Sequence, residues 1–289
     1  MDSPQPWSPL GNDGTRAQDA DGHLRSVFVS DLHLGSPRAR ADALVPFLQG
    51  LEARFVFLVG DVVDHWSDAG TQDWPAAHLQ VLEEVDRLIE RGIQVHYLPG
   101  NHDGGFRRAW HARQPRLTIA RRFEHRTADG RRLLVVHGDR FDPLIHRYRR
   151  LGHAADRLTA GLDALTGKTR ERAATRNASR RGEGLKQRLK RWSGYTGRFE
   201  RTALRHAREC GFDGIVCGHA HAPALRREGG LIYANDGDWV QSMSALVEHP
   251  RGDLQLVFPA EGRASDPIRA RTPVASVSRS GPPVSLERA

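Results

Sequence analysis

The sequence predicts an α/β sandwich of two β sheets, interrupted by an inserted helical hairpin. Four β-rich runs alternate with two helical stretches in the first half of the chain, and such alternation is typical of βαβ units around a buried sheet. The runs are 25–30, 54–59, 93–98 and 132–137, and the helical stretches are about 40–50 and 73–91. Four further strand candidates, separated by short gaps, predict a second and more antiparallel sheet at 214–217, 231–235, 243–248 and 254–258.

The insertion interrupts this series at residues 142–210, where composition and periodicity change together. The segment contains 18 Lys and Arg and 7 Asp and Glu, which gives it a net charge of +11. Because the whole chain carries +8, the other 220 residues carry a net charge of −3. Two apolar repeats with steps of three and four, from Leu144 to Leu165 and from Leu185 to His206, predict two helices. Gly194 and Gly197 are candidate break points in the second helix.

The polar loop between these helices contains five arginines that are candidates for substrate binding: Arg170, Arg172, Arg176, Arg180 and Arg181. These arginines could bind a diphosphate, an anionic lipid headgroup or a nucleic acid backbone. Alternatively, they form a basic surface that contacts only solvent, and the sequence favours neither interpretation. The insertion lies within a domain spanning 25–260. Residues 1–24 and 261–289 lack periodicity and are predicted to be disordered tails.

The composition excludes several classes of protein. With 38% apolar and 27% charged residues, the chain is typical of globular proteins, and no apolar run approaches the roughly 18 residues that span a bilayer. Residues 1–24 lack the basic-then-apolar order of a secretion signal. The two cysteines match no cysteine-based zinc pattern. We therefore expect a cytoplasmic protein without disulfides.

Five polar clusters each begin where a predicted strand ends, which is where open α/β sheets bind their ligands. A single pair such as Asp-x-His is weak evidence, because such residues also form turns and helix caps. Together the five clusters supply two metal coordination shells if one carboxylate bridges. The oxygen and imidazole donors are Asp31, His33, Asp61, Asn101, His137, His219 and His221, accompanied by glycines at 60, 100, 138 and 218.

This ordered series resembles the calcineurin-like metallophosphoesterase superfamily, which implies an αββα metallophosphoesterase sandwich with a two-metal site. The blocks are Asp31-x-His33, Gly60-Asp61-x-x-Asp64, Gly100-Asn101-His102-Asp103, His137 and Gly218-His219-x-His221. The segment Asn235 to Val240 and the helical insertion narrow the resemblance to the UDP-2,3-diacylglucosamine diphosphatase branch of lipid A synthesis. His102 is the residue general to the superfamily, whereas the lipid A enzymes carry an arginine at this position.

The resemblance implies a role for each matched residue. One metal would be held by Asp31, His33, Asp61 and His221, and a second by Asp61, Asn101, His137 and His219, with Asp61 bridging. His102 would stabilise the transition state or protonate the leaving oxygen, and Asp64 would orient it. The cofactors would be two divalent ions; the resemblance favours manganese, while the donor types also suit iron or zinc.

The resulting hypotheses differ in substrate and in class. The first is hydrolysis of UDP-2,3-diacylglucosamine to UMP and 2,3-diacylglucosamine 1-phosphate, by a cytoplasmic enzyme that is peripheral on the inner face of the cell membrane. The second is a metallophosphodiesterase that acts on nucleic acid or a cyclic nucleotide and uses the basic insertion to track the backbone. The third is a binding module that has lost catalysis; the complete donor set and His102 argue against it.

Overall fold

The computed structural model describes residues 23–64, 74–142, 185–267, 269 and 284–288; for 185–193 and 284–288 it describes the backbone alone. The first predicted helix of the insertion, the five loop arginines and nearly all of the predicted N-terminal tail lie outside these residues. The described part contains the five polar clusters and the sheet that holds them.

Twelve strands and four α-helices are described. The strands are β1 Leu24–Val29, β2 Ala53–Leu58, β3 Gln94–Tyr97, β4 Thr118–Arg126, β5 Arg132–Val136, β6 Gly214–Cys217, β7 Ala224–Glu228, β8 Leu231–Asn235, β9 Ala245–Glu248, β10 Leu254–Phe258, β11 Arg263–Ala264 and β12 Val284–Arg288. The helices are α1 Ala41–Gln49, α2 Ala76–Glu90, α3 Phe106–Arg113 and α4 Leu185–Glu209. The eight predicted strands and the helices near 40–50 and 73–91 are confirmed. Four strands, β4, β7, β11 and β12, were not predicted. In β4, the arginines and the histidine obscure the period-2 pattern.

The strands follow the order β11-β10-β9-β1-β2-β3-β4-β5-β6-β8-β7 in one sheet that curls on itself. In the first half, β1, β2 and β3 are parallel, and in the second half β5, β6 and β8 are parallel. Strand β4 joins the halves, since it pairs with β3 near Thr118 and with β5 over residues 122–126. The predicted sandwich of two β layers with helices is confirmed.

The predicted layer is wrong for three strands. The sequence groups 132–137 with the first sheet, but β5 pairs with β4 and β6 and belongs to the second half. The sequence places 243–248 and 254–258 in the second, more antiparallel layer, but β9 pairs antiparallel with β1 and β10 pairs with β9, so both belong to the first half. Short gaps between strands do not determine which layer a strand joins. The connection from β8 to β9 crosses between the halves, and this crossing brings residues 236–244 against the end of β1.

Apolar side chains fill both faces of the first half of the sheet. Because neighbouring side chains of a strand point to opposite faces, Val27 and Val29 of β1 pack in the cluster that includes α1, α2 and α3, whereas Phe28 faces the strands of the second half. Phe28 stacks on Phe57 with ring centroids 4.7 Å apart. The rigid, fully buried parallel strands fix the positions at which the polar loops begin.

Helix α4 runs without interruption through Gly194 and Gly197, so the expected break is wrong. A glycine costs about 1 kcal/mol relative to alanine inside a helix, which the surrounding turns tolerate. Contacts divide the chain into two compact units, one of residues 139–202 and one of the remainder. In the smaller unit, Tyr195 donates a hydrogen bond to Asp142 at 2.7 Å. None of the described helices has the length and apolarity that a membrane span requires.

Strand β12 lies within 261–289, where the sequence predicts a disordered tail. It pairs antiparallel with β4, with Val284 opposite Glu124 and Arg288 opposite Ala120. A five-residue segment with two apolar positions is too short to distinguish from coil by periodicity, so its pairing depends on the unpaired edge that β4 offers.

Candidate metal centre

The polar loops after β1 and β2 lie side by side because their backbones continue to pair beyond the strands. The amide of Asp31 donates to Gly60 O at 2.9 Å and that of His33 donates to Asp61 O at 3.0 Å. A β-bridge between Leu34 and Val63 extends the pairing further. Asp31 and Asp61 are therefore held next to each other at the carboxyl ends of neighbouring strands.

The backbone at most predicted ligand positions is left-handed. Among the described residues, six non-glycine residues have positive φ, and five of them are predicted ligands: Asp31 (54°), His33 (48°), Asp61 (50°), His219 (61°) and His221 (49°). Each such residue costs about 1–3 kcal/mol unless the surroundings impose it, and residues of this kind concentrate at functional sites. This strain was not predictable from the sequence.

Asp31, His33 and His221 form the first cluster, whose ligand atoms lie within 4.8 Å of one another. His221 Nε2 lies 3.0 Å from Asp31 Oδ1, His33 Nε2 lies 3.8 Å from the same oxygen, and the two Nε2 atoms are 3.4 Å apart. Two imidazole nitrogens and one carboxylate oxygen thus converge on one point.

The second cluster consists of Asp61, His137 and His219. His137 donates from Nδ1 to Val59 O at 2.8 Å, and this bond directs its Nε2 toward Asp61 Oδ2 at 3.3 Å. The His137 and His219 rings lie edge to face with centroids 5.2 Å apart. The structure brings six of the seven predicted ligands into these two clusters.

His102 and Asp64 form a hydrogen-bonded pair beside both clusters. His102 Nδ1 lies 2.6 Å from Asp64 Oδ1, and His102 Nε2 lies 4.0 Å from Asp61 Oδ2. The backbone amide of His102 donates to Asp61 Oδ1 at 2.8 Å. With side chains 28% and 24% exposed, the pair lies on the solvent side of the buried carboxylates.

Asn101, the seventh predicted ligand, is exposed at the start of the loop after β3. Its neighbour His102 binds Asp61, so the loop that contains Asn101 borders the second cluster. The carboxylate of Asp61 lies with His137 and His219. Bridging by Asp61 and metal binding by Asn101 remain predictions.

Three glycines leave the space that the predicted ligands occupy. A Cβ on Gly60 would lie 2.3 Å from Nδ1 of His137, and one on Gly100 would lie 2.2 Å from Oδ1 of Asp61. At Gly218 a Cβ would lie 2.5 Å from Asp31 Oδ2. Any side chain at these three positions would displace a ligand, which explains why glycine precedes or faces each cluster.

Electrostatics at the first cluster favour an ionised carboxylate. Burial by itself would raise the pKa of Asp31, but the adjacent imidazoles of His221 and His33 outweigh it and hold that pKa well below its usual range. Reciprocally, burial disfavours the charged imidazoles, yet Asp31 raises the pKa of both His33 and His221. The pKa of Asp61 is likewise lowered, because His137 outweighs its burial.

The donor set fits divalent metal ions. Each cluster combines one buried carboxylate with two imidazoles, and neither contains a thiolate. Mixed nitrogen and oxygen ligands of this kind suit manganese, iron or zinc. Bound cations would also offset the negative charge that the buried Asp31 and Asp61 place in a nearly dry site.

Two buried carboxylates support the site; the sequence favours a supporting or turn role over metal binding for Asp103, and packing beneath the site for Asp236. Asp103, fully buried, accepts amide hydrogen bonds from Asp61 at 2.9 Å, Val63 at 3.0 Å and Gly100 at 2.6 Å, and so ties the loops after β2 and β3 together. Burial, followed by the charge of Asp61, raises the pKa of Asp103 to about 6. Asp236, also fully buried, contacts Ser30.

The curled two-layer sheet carries, at its strand ends, carboxylate and imidazole clusters that could hold metal ions. The chain belongs to the calcineurin-like phosphoesterase family, whose model matches residues 24–223. It is 27% identical over 243 residues to UDP-2,3-diacylglucosamine hydrolase of Neisseria meningitidis serogroup C / serotype 2a, covering 82% of this chain and 98% of the relative.

A second relative is UDP-2,3-diacylglucosamine hydrolase of Haemophilus influenzae, 22% identical over 231 residues, with coverage of 77% of this chain and 94% of the relative. Among solved structures, the phosphoesterase Yfce from E. coli aligns with a TM-score of 0.45 and 16% identity over 85% of this chain and 99% of that one. The family and these relatives confirm the predicted resemblance: the chain is a phosphoester hydrolase of a family that implies divalent metal ions.

Proposed function

We propose that the protein is a two-metal hydrolase that cleaves UDP-2,3-diacylglucosamine to UMP and 2,3-diacylglucosamine 1-phosphate. The observation that carries the proposal is the pair of carboxylate and imidazole clusters at neighbouring strand ends. The choice of substrate is supported by the relatives named UDP-2,3-diacylglucosamine hydrolase, which align over nearly their whole length.

Asp31, His33 and His221 hold one divalent ion in this proposal, and Asp61, His137 and His219 hold the other. Asn101 completes the second coordination shell and Asp61 bridges. When bound, two such ions clamp the phosphoryl oxygens, offset developing negative charge and lower the pKa of a coordinated water. Manganese is our choice of metal because the resemblance to the lipid A enzymes favours it, whereas the donor types suit iron or zinc equally well.

His102 acts on the diphosphate in this proposal, and Asp64 positions it. The 2.6 Å contact of Nδ1 with Asp64 fixes the ring, which leaves Nε2 to face the phosphoryl group. The oxygen of water bonds to one phosphorus while the bond from that phosphorus to the bridging oxygen breaks. His102 donates its hydrogen bond or proton to the departing phosphate oxygen.

The basic insertion recruits the substrate. Its net charge of +11 over 142–210 suits the diphosphate and the anionic headgroups of a membrane surface. We therefore propose that the protein works peripherally at the inner face of the cell membrane, where an acylated nucleotide sugar is anchored. Arg170, Arg172, Arg176, Arg180 and Arg181 remain the candidate contacts.

A phosphodiesterase acting on nucleic acid is the second candidate, and one specific residue favours it. His102 stands where the lipid A enzymes carry an arginine, so this chain has the general residue of the superfamily at a position next to the reacting phosphate. The basic insertion would then track a phosphate backbone, which would make binding strongly dependent on salt.

A direct comparison of substrates distinguishes the two. We expect Mn²⁺-loaded protein to turn over UDP-2,3-diacylglucosamine at least ten times faster than an oligonucleotide or a cyclic nucleotide. Asp61→Asn should abolish this turnover, whereas Asp42→Asn, a change at an exposed carboxylate of α1, should leave it unchanged. Equal or faster hydrolysis of the oligonucleotide would refute the lipid substrate and retain the reaction class.

A further inference from the structure

Two hydrogen bonds from other parts of the site hold Oδ2 of the Asp31 carboxylate. Oδ2 accepts the amide of His219 at 2.8 Å and the hydroxyl of Ser30 at 2.6 Å. The other oxygen, Oδ1, faces Nε2 of His221 at 3.0 Å. Holding Oδ2 in this way directs Oδ1 toward the point where the imidazoles of the first cluster converge.

Ser30 has a second carboxylate within hydrogen-bond distance. Its Oγ lies 2.7 Å from Oδ1 of Asp236, a residue that is fully buried just after β8. The carbonyl of Gly237, at 3.2 Å, is a third and longer contact. A hydroxyl carries one hydrogen and an ionised carboxylate can only accept. Ser30 therefore cannot satisfy two ionised carboxylates, and one of the two acids must supply a proton.

The surroundings decide which acid is neutral. Asp31 is ionised as a proposed metal ligand, and its Oδ1 faces the imidazoles of His221 at 3.0 Å and His33 at 3.8 Å. Asp236 has no cationic side chain bonded to it, and within the part of the chain that the structure describes its Oδ2 has no hydrogen-bond partner. An ionised carboxylate buried in that way would be strongly unfavourable. In agreement with this, burial raises the pKa of Asp236 well above its usual range.

We propose that Asp236 is a neutral carboxylic acid that positions the metal ligand Asp31 through Ser30. Its hydroxyl donates to Ser30 Oγ, and the single hydroxyl hydrogen of Ser30 is thereby committed to Asp31 Oδ2. Asp236 is a positioning residue that touches neither substrate nor metal. The role rests on the proposed metal binding by Asp31. Gly218 makes the arrangement possible, because a Cβ there would lie 2.2 Å from Ser30 Oγ.

Mn²⁺ affinity of four variants tests the chain of hydrogen bonds. Asp236→Asn keeps a neutral donor and should bind Mn²⁺ within about two-fold of wild type. Asp236→Ala and Ser30→Ala should each bind Mn²⁺ about ten-fold more weakly than wild type, as is common when a residue that supports a metal ligand through hydrogen bonds is lost. Because both act through the same contact, the double variant should be no weaker than Ser30→Ala. Additive losses, or a loss in Asp236→Asn as large as in Asp236→Ala, would overturn the proposal.

Infrared spectroscopy provides a readout that needs neither metal nor activity. The metal-free wild-type protein should show the C=O band of a neutral carboxylic acid, and this band should be absent in Asp236→Asn. If the spectra of wild type and Asp236→Asn do not differ in this band, the proposal is overturned, even if Asp236→Ala fails to fold. Failure of wild-type protein to bind Mn²⁺ would instead refute the proposed metal centre, and the infrared band would still decide the state of Asp236.

Discussion

Replacing Gly60 with alanine tests whether the second cluster needs the space that this glycine leaves. Gly60 and Gly92 have nearly the same positive φ, 90° and 91°, so alanine adds about 1–2 kcal/mol of strain at either position. A Cβ at Gly92 meets nothing within 4 Å, whereas at Gly60 it would lie 2.3 Å from His137 Nδ1. To reach an ordinary contact of about 3.5 Å, the imidazole must retreat by about 1 Å.

That retreat breaks the hydrogen bond from His137 Nδ1 to Val59 O, at a cost of about 1 kcal/mol, and turns Nε2 away from Asp61. We expect Gly60→Ala to bind Mn²⁺ about ten- to a hundred-fold more weakly than wild type by calorimetric titration. Gly92→Ala should bind as wild type does, and in urea unfolding it should lose about 1 kcal/mol less stability than Gly60→Ala because it keeps this hydrogen bond. Equal Mn²⁺ affinity in the two variants would refute the assignment of His137 as a ligand.

Three further predictions concern catalysis, stability and metal binding. His102→Gln should lower kcat by about 10²–10⁴-fold in a steady-state assay and leave Mn²⁺ affinity unchanged. If Mn²⁺ affinity falls as much as kcat does, His102 is a metal ligand instead. Burial, with a smaller effect of nearby His125, lowers the pKa of His96 to about 4. Between about pH 6.5 and about pH 4 the unfolded chain therefore binds a proton that the folded protein does not, and stability should fall by about 3 kcal/mol as the pH is lowered through this range. In urea unfolding at several pH values, His96→Phe should remove this part of the pH dependence, whereas His111→Phe, a change at an exposed histidine, should retain it. If stability depends on pH in the same way in both variants, His96 is not the cause. Mn²⁺ at a hundred times its Kd should stabilise wild-type protein by about 2.7 kcal/mol for each bound ion in thermal melts, and Asp61→Asn should lose most of this gain, whereas full stabilisation of that variant would place the metal elsewhere.

The positions of the candidate ligands were predictable because each follows an apolar run. Strand length and the parallel arrangement then suffice to bring Asp31, Asp61 and His137 to one edge of the sheet. The glycines in the same loops also signal tight turns. What the sequence could not predict is the left-handed backbone at residues such as His219, because aspartate and histidine adopt that conformation only when tertiary contacts impose it.

The remaining differences have equally local causes. Layer membership of β9 and β10 depends on the path of residues 236–244, and a gap of that length reaches either layer. The expected break at Gly194 assumes that one glycine outweighs its neighbours, although its cost is only about 1 kcal/mol. Asp236 was placed beneath the site as packing, and only its 2.7 Å contact with Ser30 indicates a more specific role.

Anomalous diffraction from crystals of the Mn²⁺-loaded protein tests the two-metal centre most directly. We predict two peaks about 3.5–4 Å apart. One should lie among Asp31, His33 and His221 and the other against His137 and His219, with the Asp61 carboxylate between them. A single peak, or a peak coordinated by Asp64 and His102, would contradict the account.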